Sequence, residues 1–437
     1  MLCNIKSNFI LSKIFAIIQK RIKLKIVKYN KIILGKLNLN LKDFEDYKLL
    51  KVFNQKLNIN IEDTDVVKLD LNKKIKNLDA LDYFKKIHFK GVKELYLNGN
   101  KLKDIKFLEN KNFEFLEVLN LGNNELTDIN TLETVNIKRL KELDLFNNNL
   151  KDITVLGKIK FERLEKLVLN NNKELIDLKI LENENFKNLK VLLINTVCIV
   201  DLSFLSKAKF EKLEILDLSF SPIETIDILE NVNFKELKEL YISANAITEI
   251  NVLEKLKFDN LEVFDLSYQD ISDITPIKFL NFEKLKKLYL YSINLSDINF
   301  LEEKKFDKLE ELYLNINSIE NIDVLTKIKW PELKVLDLSN NKISDIKILE
   351  NFKMDKLEEL YLSTNLIEDI KALENCSFKN LKKLFMDVNE ISDITVFEKD
   401  IFENLEELNL DYNHISNEKN KTVISKLKSK LKKFVYW

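Results

Sequence analysis

Glycine and proline are scarce: 5 Gly and 3 Pro in 437 residues. That excludes a collagen, a glycine-rich linker protein and a β-sandwich built on tight turns. The glycines are Gly35, Gly91, Gly99, Gly122 and Gly157. They assemble no GxGxxG and no GxxxxGK[ST], so the common phosphate-cradling loops are absent. There are only two histidines, His88 and His414, and three cysteines, Cys3, Cys198 and Cys376. No CxxC, HExxH or Cys/His zinc spacing exists. Three scattered cysteines make no disulfide framework and fit a reducing compartment. Cys198 and Cys376 are expected to be buried free thiols.

What is abundant is repetition. Leu116-Glu-Val-Leu119-Asn-Leu121-Gly-Asn-Asn124-Glu-Leu126 returns as Leu140-Lys-Glu-Leu143-Asp-Leu145-Phe-Asn-Asn148-Asn-Leu150. The second strand hydrophobe recurs fifteen times, from Leu71 through Leu121, Leu218 and Leu314 to Leu410. The step is 24 residues, except for 26 at the start and 25 between Leu169 and Ile194. Alternate residues of each short strand point inward, and no unit can bury its own leucines, so the units must stack. Fifteen strands at about 4.8 Å would make a parallel sheet roughly 70 Å long. Ten units carry Asn three residues after the anchor, among them Asn148, Asn245, Asn341 and Asn365. Its buried amide is expected to satisfy backbone groups of neighbouring coils.

This pattern resembles the leucine-rich repeat consensus LxxLxLxxNxL over about Asp65–Ser416. The continuation Asp-Ile-x-x-Leu, as in Asp345-Ile346-Lys-Ile-Leu349, is similar to the SDS22-like and internalin-type subclass. The resemblance implies an α/β solenoid, a curved leucine-rich repeat horseshoe or arc of about 15 coils. It places a parallel β-sheet on the concave face and short helical or 3-10 turns on the convex face. A near-constant aromatic, from Phe113 through Trp330 to Phe402, should fill the space between strand and convex turn.

A second repeat lies inside the first. The residue after the first consensus leucine alternates between Glu (Glu117, Glu214, Glu262, Glu310, Glu358) and Lys (Lys141, Lys238, Lys286, Lys334, Lys382). The true period is therefore 48 residues, and a self-neutralised ladder is expected.

The organisation reads as a basic N-terminal segment and cap (1–64), the solenoid (65–416) and a C-terminal capping helix (417–437). Residues 1–42 hold ten Lys/Arg and no Asp or Glu, with Phe9, Ile10, Ile14, Ile17, Ile18 and Ile22 in an apolar-rich run. Lys13 interrupts that run, so it is a poor signal peptide and too charged for a membrane span. A cap over the first coil, a mitochondrial-type presequence and a membrane or partner contact are the readings left. At the other end, Val423, Leu427, Leu431 and Phe434/Val435 fall on one helical face.

Charge follows the same division. Net charge is −1, yet residues 1–42 carry +10, residues 43–417 carry −17 and residues 418–437 carry +6. An acidic solenoid opposes nucleic acid on its concave face. Membrane contact is expected only at the basic termini.

No chemistry of catalysis is expected. His88 and His414 lie thirteen strand spacings apart, on the order of 60 Å. Aspartates such as Asp152, Asp297 and Asp345 follow the repeat, which marks a structural role. No metal or cofactor is called for. What remains is recognition of a protein partner bearing apolar and basic groups, by a monomeric scaffold. The candidate surface is Asp217, Tyr241, Asp265, Tyr289, Tyr313, Asp337, Tyr361 and Phe385 between the strand leucines, with Phe220, Tyr268 and Tyr291 beside them. Tyrosine suits such a surface because it offers large stiff area with a polar tip. The Asn ladder is expected to fail at Val197, Ser221, Gln269 and Ile293, which points to coils 7–13. A cytoplasmic site is expected; a secreted or surface adhesin and a membrane-tethered scaffold are the alternatives.

Overall fold

The computed structural model describes residues 41–436, apart from 304, 305, 353, 377, 400, 401 and 417. The readings of Phe9 to Ile22, and of the basic segment up to residue 40, lie outside the described residues. The chain forms two compact units, the first ending at Leu189 and the second beginning at Lys190.

Each coil contributes a strand of three residues whose middle side chain is buried. In the first unit these are β1 (Lys68–Asp70), β2 (Glu94–Tyr96), β3 (Val118–Asn120), β4 (Glu142–Asp144) and β5 (Lys166–Val168). The second unit holds β6 (Val191–Leu193), β7 (Ile215–Asp217), β8 (Glu239–Tyr241), β9 (Val263–Asp265), β10 (Lys287–Tyr289) and β11 (Glu311–Tyr313). It continues with β12 (Val335–Asp337), β13 (Glu359–Tyr361), β14 (Lys383–Phe385), β15 (Glu407–Asn409) and β16 (Lys433–Val435). Neighbours pair in parallel, one repeat apart, as Leu312 with Leu336 and Leu336 with Leu360. The strands return through short 3-10 turns such as Asn251–Lys255 and Lys347–Asn351. The parallel sheet and the 3-10 turns are as the repeat predicts.

The repeating aspartates initiate those turns. Asp152, Asp297 and Asp345 each accept the N–H two residues on, at 2.7 Å. This is the Asx turn, which supplies a backbone donor with a local acceptor. The aromatic stripe is core: Phe186, Phe306, Trp330 and Phe378 are all essentially inaccessible.

The asparagine ladder links one coil to the next. Asn365 accepts the Ile343 N–H at 3.0 Å and donates to Leu362 O at 3.1 Å and Leu338 O at 3.0 Å. One expected break is repaired. Gln269 accepts the Ile247 N–H at 3.2 Å and donates to Ile242 O at 2.7 Å, doing the work of Asn with a longer arm. Val197 and Ile293 are buried apolar residues and the Ser221 hydroxyl reaches only Ser219 O of its own coil, so the ladder lapses at these three positions.

The 48-residue alternation forms the ladder expected of it. Lys141 meets Glu117 at 2.7 Å, Lys238 meets Glu214 at 2.6 Å and Lys334 meets Glu310 at 2.6 Å. Each lysine reaches back to the preceding coil. The hydrogen bond from Lys334 holds Glu310 below the usual carboxylate range. Such exposed pairs contribute roughly 0.2–1 kcal/mol each.

Helix α1 (Leu41–Leu57) buries Leu50, Phe53 and Leu57. Phe53 meets Phe84 of α2 (Ala80–Lys86) at 5.9 Å between ring centroids. After a one-turn helix α3 (Phe204–Lys207), the last helix is α4 (Lys421–Lys430), which buries Val423, Ile424 and Leu427. The chain end differs from the expected single helix. Phe434 and Val435 leave the helical face and form β16, paired in parallel with β15. The open edge of β15 offers unpaired backbone groups, and pairing satisfies them. No described helix is long and apolar enough to cross a membrane.

Candidate functional site: the outer strand face

The first and third residues of each strand point away from the core. In the second unit the third position reads Asp217, Tyr241, Asp265, Tyr289, Tyr313, Asp337, Tyr361 and Phe385. Parallel register sets Asp265 between Tyr241 and Tyr289, and Asp337 between Tyr313 and Tyr361. The Tyr289 and Tyr313 rings stack at 4.7 Å. Tyr268 meets Tyr291 edge-on at 4.9 Å, and Tyr361 meets Phe385 edge-on at 5.2 Å.

Three of the tyrosines are held at the hydroxyl end as well. Tyr241 OH donates to Glu239 at 2.9 Å, Tyr313 OH to Glu311 at 3.1 Å, and Tyr361 OH to Glu359. Burial, helped by these carboxylates, pushes the Tyr241 phenol far above its ordinary value. Burial likewise takes Tyr289 up to about 12. All therefore stay neutral donors at physiological pH. The glutamates were missed as site residues, although Glu-Leu-Tyr recurs at 94–96, 239–241, 311–313 and 359–361.

The aspartates have a backbone duty. Asp217, Asp265 and Asp337 accept the N–H of Ser219, Ser267 and Ser339 at 3.0, 2.9 and 2.9 Å. Asp265 corrects the expectation of an exposed acid, for it is only 8 % exposed. It has aromatic neighbours in register on both sides. Burial raises its carboxyl above the ordinary range, and Asp337 behaves the same way. The first strand position adds charge pairs: Lys287 with Glu311 and Lys383 with Glu359, both at 2.8 Å.

A raised folded-state pKa means that the fold prefers neutral Asp265. Its stabilising contribution is full below the unfolded value of about 3.9 and is lost as pH rises through the higher folded value. Asp265→Asn removes that loss. Its side-chain oxygen can still accept the Ser267 N–H, as Asn120 accepts Gly122 N–H at 3.0 Å. The variant is therefore expected to unfold at a higher temperature at pH 7. The gain in stability on going from pH 7 to 4 should also be smaller. A melting curve at pH 7 below that of the unsubstituted chain would sink this account.

A left-handed residue follows each strand from β1 to β15, just before the ladder position. In the first unit these are Lys73, Gly99, Asn123, Asn147 and Asn171. In the second they include Phe220, Tyr268, Ile316, Val388 and Tyr412. Sequence reasoning placed Phe220 and Tyr268 on the surface but had no signal for their backbone.

The two histidines each face a carboxylate. His414 Nε2 lies 2.6 Å from Glu390. His88 donates its backbone N–H to Asp46 at 3.2 Å and sets Nδ1 3.3 Å from it. Near by, Lys111 donates to Phe84 O at 2.8 Å and Ile87 O at 2.6 Å, and burial lowers its pKa to about 8. These groups line a cavity of about 500 Å³. Lys111 satisfies carbonyls at the end of α2, and Asp46 ties α1 to the loop of His88. The cluster thus fastens the cap. No group of three metal-binding side chains occurs among the described residues.

The thiols differ from expectation. Cys198 is exposed, because it occupies the turn position just after the buried Val197. Cys376 is half-buried, donates to Leu349 O at 3.2 Å, and is pushed by burial up to about 12.

The family model described as Leucine Rich repeats (2 copies) matches residues 90–134 and 331–375. Those two segments are leucine-rich repeats. No curated protein is significantly similar in sequence. Among solved structures, an internalin of Listeria monocytogenes is 23 % identical, with a TM-score of 0.60, over 83 % of this chain and 94 % of its own. A leucine-rich repeat protein of Leptospira interrogans is 25 % identical, also at 0.60, over 82 % of this chain and 98 % of its own. TLR13, in its complex with ssRNA13, is 20 % identical with a TM-score of 0.55, over 84 % of this chain and 56 % of its own. The internalin and TLR13 share the leucine-rich repeat fold at identities that speak to fold alone.

Proposed function

We propose that the chain is a non-catalytic recognition module that holds a partner protein against the outer strand face of coils 7–13. The observation that carries this reading is the set of tyrosines whose hydroxyls are tied to glutamates two residues before them. A side chain fixed in this way loses little freedom on binding, which is how hot-spot aromatics gain their affinity. The satisfied aspartates between them give the face its acidic tone, and a partner with apolar and basic groups fits it. On the Asp-Ile-x-x-Leu continuation we place the repeats with the SDS22-like and internalin-type subclass.

The test is affinity capture with the full chain and with a Tyr241→Ala, Tyr289→Ala, Tyr313→Ala variant. Hot-spot truncations cost about 2 kcal/mol or more each. The partner retained by the unsubstituted chain should be lost, while circular dichroism stays unchanged. Undiminished capture by the triple variant would overturn the assignment of this face.

A further inference from the structure

The second unit spends backbone strain on side chains that add nothing to its own core. Left-handed φ suits Gly and Asn, and is unfavourable for aromatic and β-branched residues. At this position the first unit follows that rule with Gly99, Asn123, Asn147 and Asn171, and departs from it only at the polar Lys73. The second breaks it at Phe220 (φ 55°), Tyr268 (φ 54°), Ile316 (φ 55°), Val388 (φ 54°) and Tyr412 (φ 51°). All five are exposed, Phe220 to 60 % and Tyr412 to 73 %. Each of the five leaves a large part of its apolar surface in solvent, so burial repays only part of this strain. Strain of this kind collects where a protein holds a ligand.

Four of these residues fall on the 48-residue period, and three are consecutive on it: Phe220, Tyr268 and Ile316. Two strand spacings separate consecutive members, about 10 Å. One heptad of an α-helix advances about 10.5 Å. Acids flank the row on both sides. Asp217 stands half-buried on the strand side, and Glu224, Asp270 and Glu320 are exposed on the other. An amphipathic helix presents the complement, an apolar stripe bordered by cations.

From this geometry we infer that Phe220, Tyr268 and Ile316 form an apolar docking row for a cationic amphipathic helix of a partner protein. The inference rests on the reading of the second unit as a partner-binding element, and adds the partner's chemistry. The row receives the apolar stripe, and the acids on either side receive lysines or arginines. Attraction of this kind weakens with salt. A Pro-rich extended segment or an anionic bilayer would use other contacts, and the acids would repel the bilayer.

The test uses the full chain and its Phe220→Asn, Tyr268→Asn, Ile316→Asn variant. Asn accepts left-handed φ, so the variant should melt at a higher temperature while it loses the apolar row. The probe is a synthetic 21-residue helical peptide with leucines on a heptad stripe bordered by lysines. Its controls are a scrambled peptide, a proline-substituted peptide and anionic phosphatidylserine vesicles. The full chain should bind the probe, less tightly at high salt, and the variant should bind it at least tenfold more weakly. Equal binding by the variant, or of the scrambled or proline peptide, overturns the proposal. A lowered melting temperature overturns its strain premise, and binding of vesicles alone assigns the row to lipid instead. If the tyrosine variant loses its partner while the asparagine variant keeps it, the strand face stands and the row falls.

Discussion

Asn365→Ala is expected to destabilise the second unit by about 2–4 kcal/mol, because a buried donor or acceptor left without a partner costs about 1–3 kcal/mol. The substitution orphans the Ile343 N–H and removes a donor from two carbonyls, Leu338 O and Leu362 O. Asn365 itself is buried, so no water can take its place without opening the coil. Because a solenoid is held by nearest-neighbour interfaces, the loss should be local. Hydrogen exchange is the suitable measurement. The Ile343 amide should exchange at least tenfold faster, and the amides of β7 and β8 should not change. Asn365→Gln should be milder, since Gln269 already accepts the equivalent N–H and donates to the equivalent carbonyl of the preceding coil. An alanine variant with an unchanged Ile343 exchange rate would mean that the ladder is not what joins the coils.

Phe53→Ala is the second large effect, about 3–5 kcal/mol for a fully buried aromatic. Phe53 is 0 % exposed and meets Phe84, which in turn meets Phe89 at 5.1 Å and Phe107 at 5.3 Å. That cluster joins α1, α2 and the 3-10 turn Lys106–Leu108. Without the Phe53 ring, the leucines of the first coil lose their cover and α1 loses its main anchor. Urea unfolding should show an earlier first transition, while exchange in β10–β14 stays as it was. Phe53→Leu should recover most of the stability. A cost under about 1 kcal/mol would show that α1 is not a cap, since buried Phe→Ala changes fall well above that.

The fold was legible because its period is written in the chain. A hydrophobe every 24 residues leaves one way to stack, and Leu312 does pair with Leu336. The Glu/Lys alternation was legible for the same reason, since stacking turns a sequence period into a spatial neighbour. The misses share a cause as well. Asp265 and Asp217 look alike in sequence, and only the packing of the folded coils distinguishes the buried one. Gln269 reads as a lost asparagine until its extra methylene is seen to carry the amide to the same carbonyl. Phe434 and Val435 fit a helical face, yet the unpaired edge of β15 decides their conformation. The tyrosine hydroxyls were missed because their bond follows the strand's own period of two, which puts Glu and Tyr of Glu-Leu-Tyr on one face, and not the repeat of 24.

The ladder bonds all run in one direction. Asn365 completes the coil of Ile343, Asn389 completes that of Ile367 and Asn413 that of Ile391. At the end Asn420 does this for Ile394. The lysines of the alternating ladder also reach backward, Lys334 to Glu310 and Lys382 to Glu358. Each coil is thus finished by the one that follows it. On a ribosome, where the amino end emerges first, the growing unit always ends in a single unsealed turn, and the next repeat to emerge closes it.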